Sequence, residues 1–514
     1  MPVHGGDDAP TAQQRLHPDR ALPADPGVRA LARRILARTA TLPIVSMHGH
    51  VDVDMLADDE AFSDPSSLLV TPDHYLVRML VSQSTAPGPV RDSGVRSVAD
   101  LGAGSSRGAA VETDPRAIWR RFCAGWPALR GTPTRFWLEQ VLAEVFEAPQ
   151  RPSPETADAL YDHIADRLSR PEYRPRALFE RFGIELLATT DPATSDLGAH
   201  GRLAAEGWGG RVIPTFRPDP LLEPARGDWI RQLDALSASA GIDAHDYDGY
   251  LAALRARRRA FADAGARASD HGHRSALMAP LEPAEARRLF ATARDGGIDP
   301  ASASAFTGHM LFRMAEMATE DGLVMQLHPG VMRDHDRGVA KRFGHDIGYD
   351  VPVAAEFTHA LRPVLEAFGH HEDFRLIVFT VDETVYSREL APLAGVYPAM
   401  RLGAPWWFLD TPDAMRRFRE AIGDTAGLRN TSGFVDDTRA FCSIPARHDL
   451  SRRIDAGHLA RLVAEHRLDL EEAVESAVEL AYTLPRESYP APRRADAAQA
   501  APGAAPRPAS EALA

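Results

Sequence analysis

Residues 42–50 read Leu42-Pro43-Ile44-Val45-Ser46-Met47-His48-Gly49-His50, a short apolar run that ends in two histidines. The run predicts a buried strand. Alternate residues of a strand point to the same side, so both imidazoles can converge on one ion, and Gly49 between them offers no obstruction. In a barrel of parallel strands, catalytic groups collect at the carboxyl ends of the strands. Two ordinary surface histidines are the competing interpretation, and the rest of the chain has to decide between the two.

Composition limits the class of protein. The chain has 514 residues, an apolar fraction of 44% and a formal net charge of -14. This acidity argues against a nucleic-acid partner, which requires a basic face. We find no run near the roughly 18 apolar residues of a membrane span and no secretory signal in residues 1–25. The two cysteines, Cys123 and Cys442, exclude a disulfide framework and predict a cytoplasmic protein.

Apolar runs alternate with helical patterns along the chain, which predicts parallel strands with helical crossovers. Eight runs qualify as strands: 44–50, 184–190, 212–216, 266–271, 323–328, 374–380, 399–402 and 433–437. The fourth and seventh are the weakest. Eight is the number that a closed (β/α)8 TIM-type barrel needs, so we predict an α/β protein with this fold.

Five segments follow from this interpretation. We predict disordered tails at 1–25 and 487–514, because such compositions bury too little apolar surface to offset the entropy of ordering. Residues 26–51 lead into and form the first barrel strand, and residues 181–486 form the remainder of the barrel. The gap between the first two strands far exceeds an ordinary connection and predicts a helical insertion at 52–180, in which Thr134 could cap one helix.

Polar residues follow several of the predicted strands. They are Thr189-Thr190-Asp191-Pro192, Phe216-Arg217-Pro218-Asp219, Asp270-His271-Gly272, Gln326-Leu327-His328 and Asp436-Asp437-Thr438-Arg439. Buried polar groups need partners. Each segment alone has a structural explanation, such as Asp191 or Asp270 capping the next helix, but several of them at one end of a barrel predict a functional site.

The order of these motifs resembles that of the uronate isomerases, divergent members of the amidohydrolase superfamily. The resemblance covers residues 26 to 485. It rests on His48-Gly49-His50, Asp73-His74-Tyr75 with Arg78, Thr190-Asp191-Pro192, Phe216-Arg217-Pro218-Asp219, Ser269-Asp270-His271-Gly272, Met325-Gln326-Leu327-His328, Trp406-Trp407-Phe408, and Asp437-Thr438-Arg439 leading to Arg447-His448-Asp449. It implies an eight-stranded barrel, a divalent metal usually taken as zinc, and interconversion of D-glucuronate or D-galacturonate with the matching ketouronate.

The chain departs from the family pattern in three places. Phe216 stands where family members usually carry Trp, and Arg333 precedes Asp334-His335-Asp336 instead of an asparagine-rich run. The Gly/Ser/Ala-rich region 86–113 matches no family motif. The substrate is therefore less firmly predicted than the fold.

Aldose–ketose isomerisation moves a proton between adjacent carbons through an enediol, so it needs a base, an oxyanion-stabilising group and an anchor for the substrate carboxylate. Two imidazoles and a carboxylate suit zinc with one open position, so His48, His50 and Asp437 are the predicted metal ligands. Asp437 could instead be the base.

The remaining candidates contact substrate or carry a proton. Arg217 or Arg439 would anchor the carboxylate, with an internal salt bridge to Asp219 or Asp436 as the alternative. By resemblance, His74 and Tyr75 reach in from the insertion, and Tyr75 could carry a proton. His271 and His328 are further ligands or substrate contacts. Trp406 and Trp407 form either a sugar-stacking wall or a packed pair, and Asp449 is predicted to fix its loop.

Two other functions compete with an isomerase that acts on a small sugar acid. A metal-dependent hydrolase or decarboxylase could use the same ligands to activate water. A lysine-bridged binuclear site is disfavoured, because the chain's single lysine is Lys341. A non-catalytic barrel would predict a degraded ligand set. We also expect a homo-oligomer without a membrane partner.

Overall fold

The computed structural model describes residues 16–85, 93–104 and 110–492. Within them the chain forms short strands separated by helices. The strands are β1 (Ile44–Ser46), β2 (Ile184–Ala188), β3 (Asp191–Pro192), β4 (Val212–Ile213), β5 (Phe216–Arg217), β6 (Ala268–His271), β7 (Val324–Leu327), β8 (Val331–Met332), β9 (Val351–Pro352), β10 (Leu376–Val378) and β11 (Met400–Leu402). Strands β8 and β9 pair as a small antiparallel ribbon, and the other strands pair in parallel.

The parallel strands follow one another in chain order around a barrel. One sheet has the order β1-β2-β4 and the other β11-β10-β7-β6-β5-β3. Segments β2 and β3 together make the second barrel strand, and β4 and β5 the third. The predicted (β/α)8 barrel is confirmed.

The eighth predicted strand, 433–437, is less regular than the sequence suggested. Its neighbourhood joins β11 through a parallel bridge between Leu402 and Thr431. It joins the first strand where Asp437 N donates to His48 O at 3.2 Å. Gly433 and Asp437 both have positive φ, +76° and +43°, and this backbone conformation interrupts a continuous ladder.

Alternate strand residues pack into different apolar clusters, as expected for strands buried on both faces. Val324 and Ile377 belong to the cluster that contains Val45 and Met47. Their neighbours, such as Met325, belong to the cluster formed with the surrounding helices. Side chains therefore fill the barrel interior, and functional groups have room only at its carboxyl end.

Twenty-one α-helices surround the strands within the described residues. They are α1 (Pro26–Thr39), α2 (Val53–Asp58), α3 (Pro65–Leu69), α4 (His74–Ser82), α5 (Pro115–Gly125), α6 (Pro133–Gln140), α7 (Ala157–Leu168), α8 (Pro175–Arg181), α9 (Gly198–Leu203), α10 (Asp219–Leu222), α11 (Trp229–Ala240), α12 (Tyr247–Asp263), α13 (Pro283–Arg294), α14 (Pro300–Asp321), α15 (Arg337–Phe343), α16 (Arg362–Phe368), α17 (Ala391–Val396), α18 (Pro412–Gly423), α19 (Ile444–Ala464), α20 (Leu470–Val478) and α21 (Leu484–Glu487). No helix in this part of the chain is long and apolar enough to cross a membrane.

Helices α2 to α8 lie between the first two strands. They share an apolar cluster that also includes Ile44 and Ile184 of the barrel. We propose that residues 52–180 fold as one inserted subdomain on this shared cluster. Residues 86–92 and 105–109 of the Gly/Ser/Ala-rich region lie outside the described residues.

The cap of α6 differs from the prediction. Thr132, not Thr134, caps the helix, since its Oγ1 accepts from Arg135 N at 3.2 Å. Pro133 occupies the first helical position, where a missing N–H costs nothing. Thr134 is therefore already inside the helix, where its side chain is buried.

Parts of both predicted tails pack against the rest of the chain. Within the predicted N-terminal tail, residues 16–25 contact the body: Arg33 pairs with Asp19, and Arg20 lies 3.6 Å from Asp449. Tyr489, beyond the predicted C-terminal boundary, is fully buried. Residues 1–15 and 493–514, the rest of the two predicted tails, lie outside the described residues.

Candidate active site

The two histidines of the first strand lie next to the end of the eighth. His50 N donates to Thr438 O at 3.0 Å, and Asp437 N donates to His48 O at 3.2 Å. These backbone bonds set the carboxylate of Asp437 beside both imidazoles. A Cβ at position 49 would lie 3.3 Å from Asp436 Oδ1, so the glycine allows a close approach of the Asp436 carboxylate.

The three predicted ligands converge on one point. His48 Nε2 lies 3.4 Å from Asp437 Oδ1, and His50 Nε2 lies 3.1 Å from the same oxygen. One donor atom of each residue lies within 4.8 Å of the others. His48 is fully buried, and neither of its ring nitrogens is hydrogen-bonded. The Nε2 atoms of His48 and His50, together with the carboxylate of Asp437, suit a divalent cation with an open position.

Electrostatics keeps two of the three ligands, Asp437 and His50, ready for a cation. Burial would lower the pKa of the third, His48, but Asp270 and Asp437 raise it above its ordinary value, so a cation bound there would displace a proton. Burial would raise the pKa of Asp437, but the neighbouring imidazoles of His48 and His50 hold it far below its ordinary value. Burial lowers the pKa of His50 despite Asp437. The carboxylate is therefore ionised and His50 neutral, with a free lone pair. The positive φ of Asp437 is the kind of backbone strain that persists where the surroundings enforce it.

Asp270 is an important residue that the predicted site left out. Its side chain is fully buried, with Oδ1 2.9 Å from His328 Nε2 and 3.7 Å from His48 Nδ1. Arg217 Nη1 lies 3.4 Å from Oδ2. Burial opposes ionisation, yet His328, His48 and Arg217 hold the pKa of Asp270 well below its ordinary value. Strand alternation shows only that Asp270 and His271, adjacent residues of β6, point to opposite sides, and it does not tell which of them faces His48.

A cavity of about 200 Å³ opens over the ligands. It is lined by His50, Pro72, Asp73, His74, Tyr75, Arg217, His328, Arg333, Asp346, Trp406, Trp407, Asp437, Thr438, Arg439, Ala440 and Arg447. The structure thus brings together most of the predicted site residues. His48 lies buried behind the lining, and His271 is directed to a different cluster.

Both predicted anchor arginines contact carboxylates of the protein. Arg217 Nε donates to Asp219 Oδ2 at 3.0 Å, the internal salt bridge that the sequence left open. Arg439 pairs with Asp346 and lies 2.7 Å from His74 Nε2. Burial and the charge of Arg439 lower the pKa of His74 to about 4, so this imidazole is neutral at physiological pH. Asp346 was not predicted; it follows no barrel strand, and no motif marks it.

A second polar group lies at the cavity wall. Tyr75 Oη lies 3.3 Å from Asp410 Oδ2, and Arg447 Nη1 donates to the same oxygen at 2.7 Å. Burial raises the pKa of Asp410 to about 7 even though Arg447 opposes it. Burial, followed by Asp410, also raises the pKa of Tyr75 well above its ordinary value. The phenol therefore stays protonated. The sequence assigns no role to Arg447 and predicts that Asp449, two residues later, fixes its loop. In the structure Asp449 pairs with Arg453 at 2.7 Å.

The two tryptophans have different surroundings. Trp406 is 2% exposed and stacks on Phe379 with ring centroids 4.4 Å apart, so it belongs to the packed rim. Trp407 is half-buried, and the Arg333 guanidinium lies 5.0 Å from its ring centroid. Trp406 is therefore a packed residue, and a sugar-stacking role of Trp407 stays a prediction.

Comparison with known proteins decides the family. The sequence profile of the glucuronate isomerases matches residues 29–487. A uronate isomerase of Rhizorhabdus wittichii is 52% identical over 478 residues, which make up 93% of this chain and 99% of the relative. The chain belongs to the glucuronate isomerase family. Another relative, the uronate isomerase of Rhizobium meliloti, is 50% identical over 474 residues, covering 92% of this chain and 99% of that protein.

Solved structures of the glucuronate isomerase family have the same fold. The glucuronate isomerase of Caulobacter crescentus superposes with a TM-score of 0.89 at 45% identity, covering 93% of this chain and 97% of the other. The uronate isomerase of Thermotoga maritima gives 0.83 at 25% identity, over 92% and 99%. The resemblance and the isomerase class predicted from the motifs are confirmed.

Proposed function

We propose that this chain is an aldose–ketose isomerase that interconverts D-glucuronate or D-galacturonate with the matching ketouronate. One observation carries the proposal: the convergent group of His48, His50 and Asp437 shares a cavity with the guanidinium of Arg439. The cavity thus offers a cation site and an anchor for a carboxylate. Membership of the glucuronate isomerase family supports this choice of substrate class.

His48, His50 and Asp437 would hold the cation, and the donor set favours Zn²⁺. When bound, it would supply Lewis-acid polarisation of a substrate oxygen. Asp437 lines the cavity and its lowered pKa keeps it ionised, so it is our candidate for the base. Tyr75 remains protonated and can donate a hydrogen bond or a proton to the substrate. In the proposed reaction a base removes the proton from C2 while O1 gains a proton, which gives the enediol. The O2 hydroxyl then loses its proton and C1 gains one, so that the ketouronate forms with no net change in atoms.

Arg439 is the better candidate for the carboxylate anchor. Its side chain is 38% exposed and its partner Asp346 is 35% exposed. Arg217 is held between two largely buried carboxylates, Asp219 and Asp270, so turning toward substrate would leave them unpaired. We therefore assign Arg217 to positioning and Arg439 to substrate binding. His74 would position Arg439, and His328 and Trp407 would line the substrate.

The variant Arg439→Met tests the anchor. We expect KM to rise about 10- to 100-fold, since a charge-assisted hydrogen bond contributes about 1.5–3 kcal/mol. We expect a smaller change in kcat, which steady-state kinetics will separate from KM. Arg467→Met, at an exposed ion pair with Asp424, is the matched control and should keep the wild-type KM. An unchanged KM in Arg439→Met would show that Arg439 does not bind the substrate.

His48→Ala tests the cation site. The variant should lose one equivalent of bound divalent metal per chain, measured by inductively coupled plasma mass spectrometry after removal of free metal. It should remain folded, since no hydrogen bond to the ring is lost, and circular dichroism will check this. His371→Ala, at an exposed histidine, should keep the wild-type content. Full metal content in the His48 variant would contradict the assignment.

The reaction itself can be followed by proton NMR in D2O with D-glucuronate and D-galacturonate in separate samples. Ketouronate signals, together with loss of the C2 proton signal, would support the proposal and rank the two substrates. A folded, metal-loaded protein that leaves both sugars unchanged would contradict it.

The hydrolase or decarboxylase alternative is not favoured. The end of the fourth barrel strand carries Asp270 and His271, and Lys341 lies on α15, so the described chain has no lysine placed to bridge two ions. The relatives cited above are all uronate isomerases. A cytoplasmic location and a homo-oligomer remain predictions. The free, buried state of Cys123 and Cys442 supports the first.

A further inference from the structure

A second group of metal-ligating side chains lies apart from the cavity. Asp219, His271 and His273 each offer one donor atom, and these atoms lie within 4.8 Å of one another. All three residues are buried. Asp219 Oδ1, His271 Nδ1 and His273 Nε2 have no hydrogen-bond partner in the described part of the chain. Unpaired buried polar atoms are costly, and three of them in one place point to an occupant.

The other nitrogen of each imidazole is already engaged. His273 Nδ1 lies 2.9 Å from Glu223 Oε1, and His271 Nε2 lies 3.1 Å from Ser269 Oγ. Metal-ligating histidines usually make such a bond through the second nitrogen, which fixes the tautomer and the ring orientation. The carboxylate of Glu223 can accept from the Nδ1–H of His273, so that its Nε2 presents a lone pair to the group.

The carboxylate of Asp219 likewise has one oxygen that is hydrogen-bonded and one that is unpaired. Its Oδ2 accepts from Arg217 Nε and from Gly272 N, each at 3.0 Å, while Oδ1 lies 3.3 Å from His273 Nε2 without hydrogen-bond geometry. This oxygen and the His273 nitrogen face each other, and two lone pairs at that distance repel unless a proton or a cation lies between them.

An ion could reach this group from solvent. Glu223 and His273 line a surface groove of about 1000 Å³. The His273 side chain is 2% exposed and that of Glu223 is 36% exposed. The groove is a route of the kind that a credible metal site needs, and its lining shares only His273 with the three ligands.

We propose that Asp219, His271 and His273 bind a second divalent cation, Zn²⁺ by their donor chemistry, separate from the one at His48, His50 and Asp437. Two imidazole nitrogens, one carboxylate oxygen and a water complete a tetrahedral set. Asp219 also pairs with Arg217, and Arg217 pairs with Asp270 beside the first site. An ion on Asp219 therefore fixes the position of the arginine that connects the two sites.

Metal counting on the full-length protein tests the proposal without reference to activity. The protein is stripped with a chelator, reloaded with Zn²⁺ and freed of excess metal before mass spectrometry. We expect two equivalents in the wild type, one in His273→Ala, one in His48→Ala and none in the double variant. His359→Ala is the matched control, since this residue lines the same groove with an 86% exposed side chain. It should retain two equivalents.

X-ray absorption on zinc-loaded His48→Ala gives a second readout that does not require the His273 variant to fold. The remaining ion should show two imidazole ligands and oxygen neighbours. One equivalent in the wild type that a folded His273→Ala retains, two equivalents in a folded His273→Ala, or none in His48→Ala would overturn the proposal. In that event a protonated His273 paired with Asp219, or a bridging water, occupies the space instead. One equivalent that His48→Ala retains and His273→Ala loses would support this site and contradict the cation at His48, His50 and Asp437.

Discussion

Asp437→Asn is expected to lower kcat/KM about 1000-fold or more. A positioned base contributes a factor of about 10²–10⁴ to the rate. Loss of an anionic ligand also weakens binding of the cation that His48 and His50 would share. The asparagine keeps the size of the side chain, so the local packing should survive. The measurement is steady-state kinetics with the preferred hexuronate, combined with metal content per chain.

The two readouts of Asp437→Asn separate its two possible roles. A base that is not an essential ligand would leave metal content at the wild-type value while turnover falls, whereas a ligand would lose one equivalent as well. Asp449→Asn is the control, since Asp449 pairs with Arg453 away from the cavity lining, and it should keep its activity. Wild-type turnover in Asp437→Asn would contradict both roles.

The sequence predicted the parts of the site that depend on strand ends. His48 and His50 are alternate residues at the end of an apolar run, so period-two geometry puts them on one side. Asp437 follows the last apolar run, and the closing of a barrel places the last strand beside the first. Asp437 lies nearly 390 positions after the two histidines, yet all three could be assigned to one cluster, because the order of strands in a barrel is enough to place them together.

The sequence could not select between neighbours on one strand. In β6, Asp270 and His271 are both polar and adjacent, and a shift of one residue exchanges the faces. We predicted His271 as a substrate contact or ligand, but the structure turns Asp270 toward His48 and His328, and His271 toward Asp219 and His273. Only the register, visible in the pairing of Asp270 with Gln326, resolves this.

Residues supplied by connecting segments were also missed. Asp346 follows a helix and Asp410 precedes one, and both positions have a local explanation as ordinary loop or capping carboxylates. Their role depends on long-range contacts, such as that between Asp410 and Arg447, which period and spacing do not encode. Strand-end patterns reveal the residues that the barrel strands contribute to such a site, whereas residues from the connecting segments can be placed only from the folded structure.

Arg447→Met is expected to cost about 3–5 kcal/mol of unfolding free energy at slightly alkaline pH. The guanidinium is 3% exposed and lies 2.7 Å from Asp410 Oδ2, and Asp410 is 5% exposed. Removing one partner of a buried pair leaves the other charge uncompensated. The guanidinium carbon also lies 3.7 Å from the ring centroid of Trp137, a contact that Met replaces only in part.

The cost should depend on pH, in a direction fixed by the raised pKa of Asp410. With Arg447 present this pKa is already about 7, against about 3.9 for an unfolded aspartate, and loss of the arginine raises it further. Between the two values the folded variant binds more protons than the unfolded chain, so its stability falls as pH rises. Denaturant unfolding at about pH 6 and about pH 8.5 should show the larger loss at the higher pH.

A double variant separates the buried charge from the lost packing. In Asp410→Asn/Arg447→Met the uncompensated charge at Asp410 is gone, so we expect most of the stability to return and most of the pH dependence to disappear. The remainder would come from the buried Asp73, whose pKa burial raises and Arg447 lowers. Arg467→Met, which removes the exposed partner of Asp424, should cost less than about 1 kcal/mol. If Arg447→Met alone lost no more than this control, or lost the same amount at both pH values, Asp410 would not carry a buried charge that depends on Arg447.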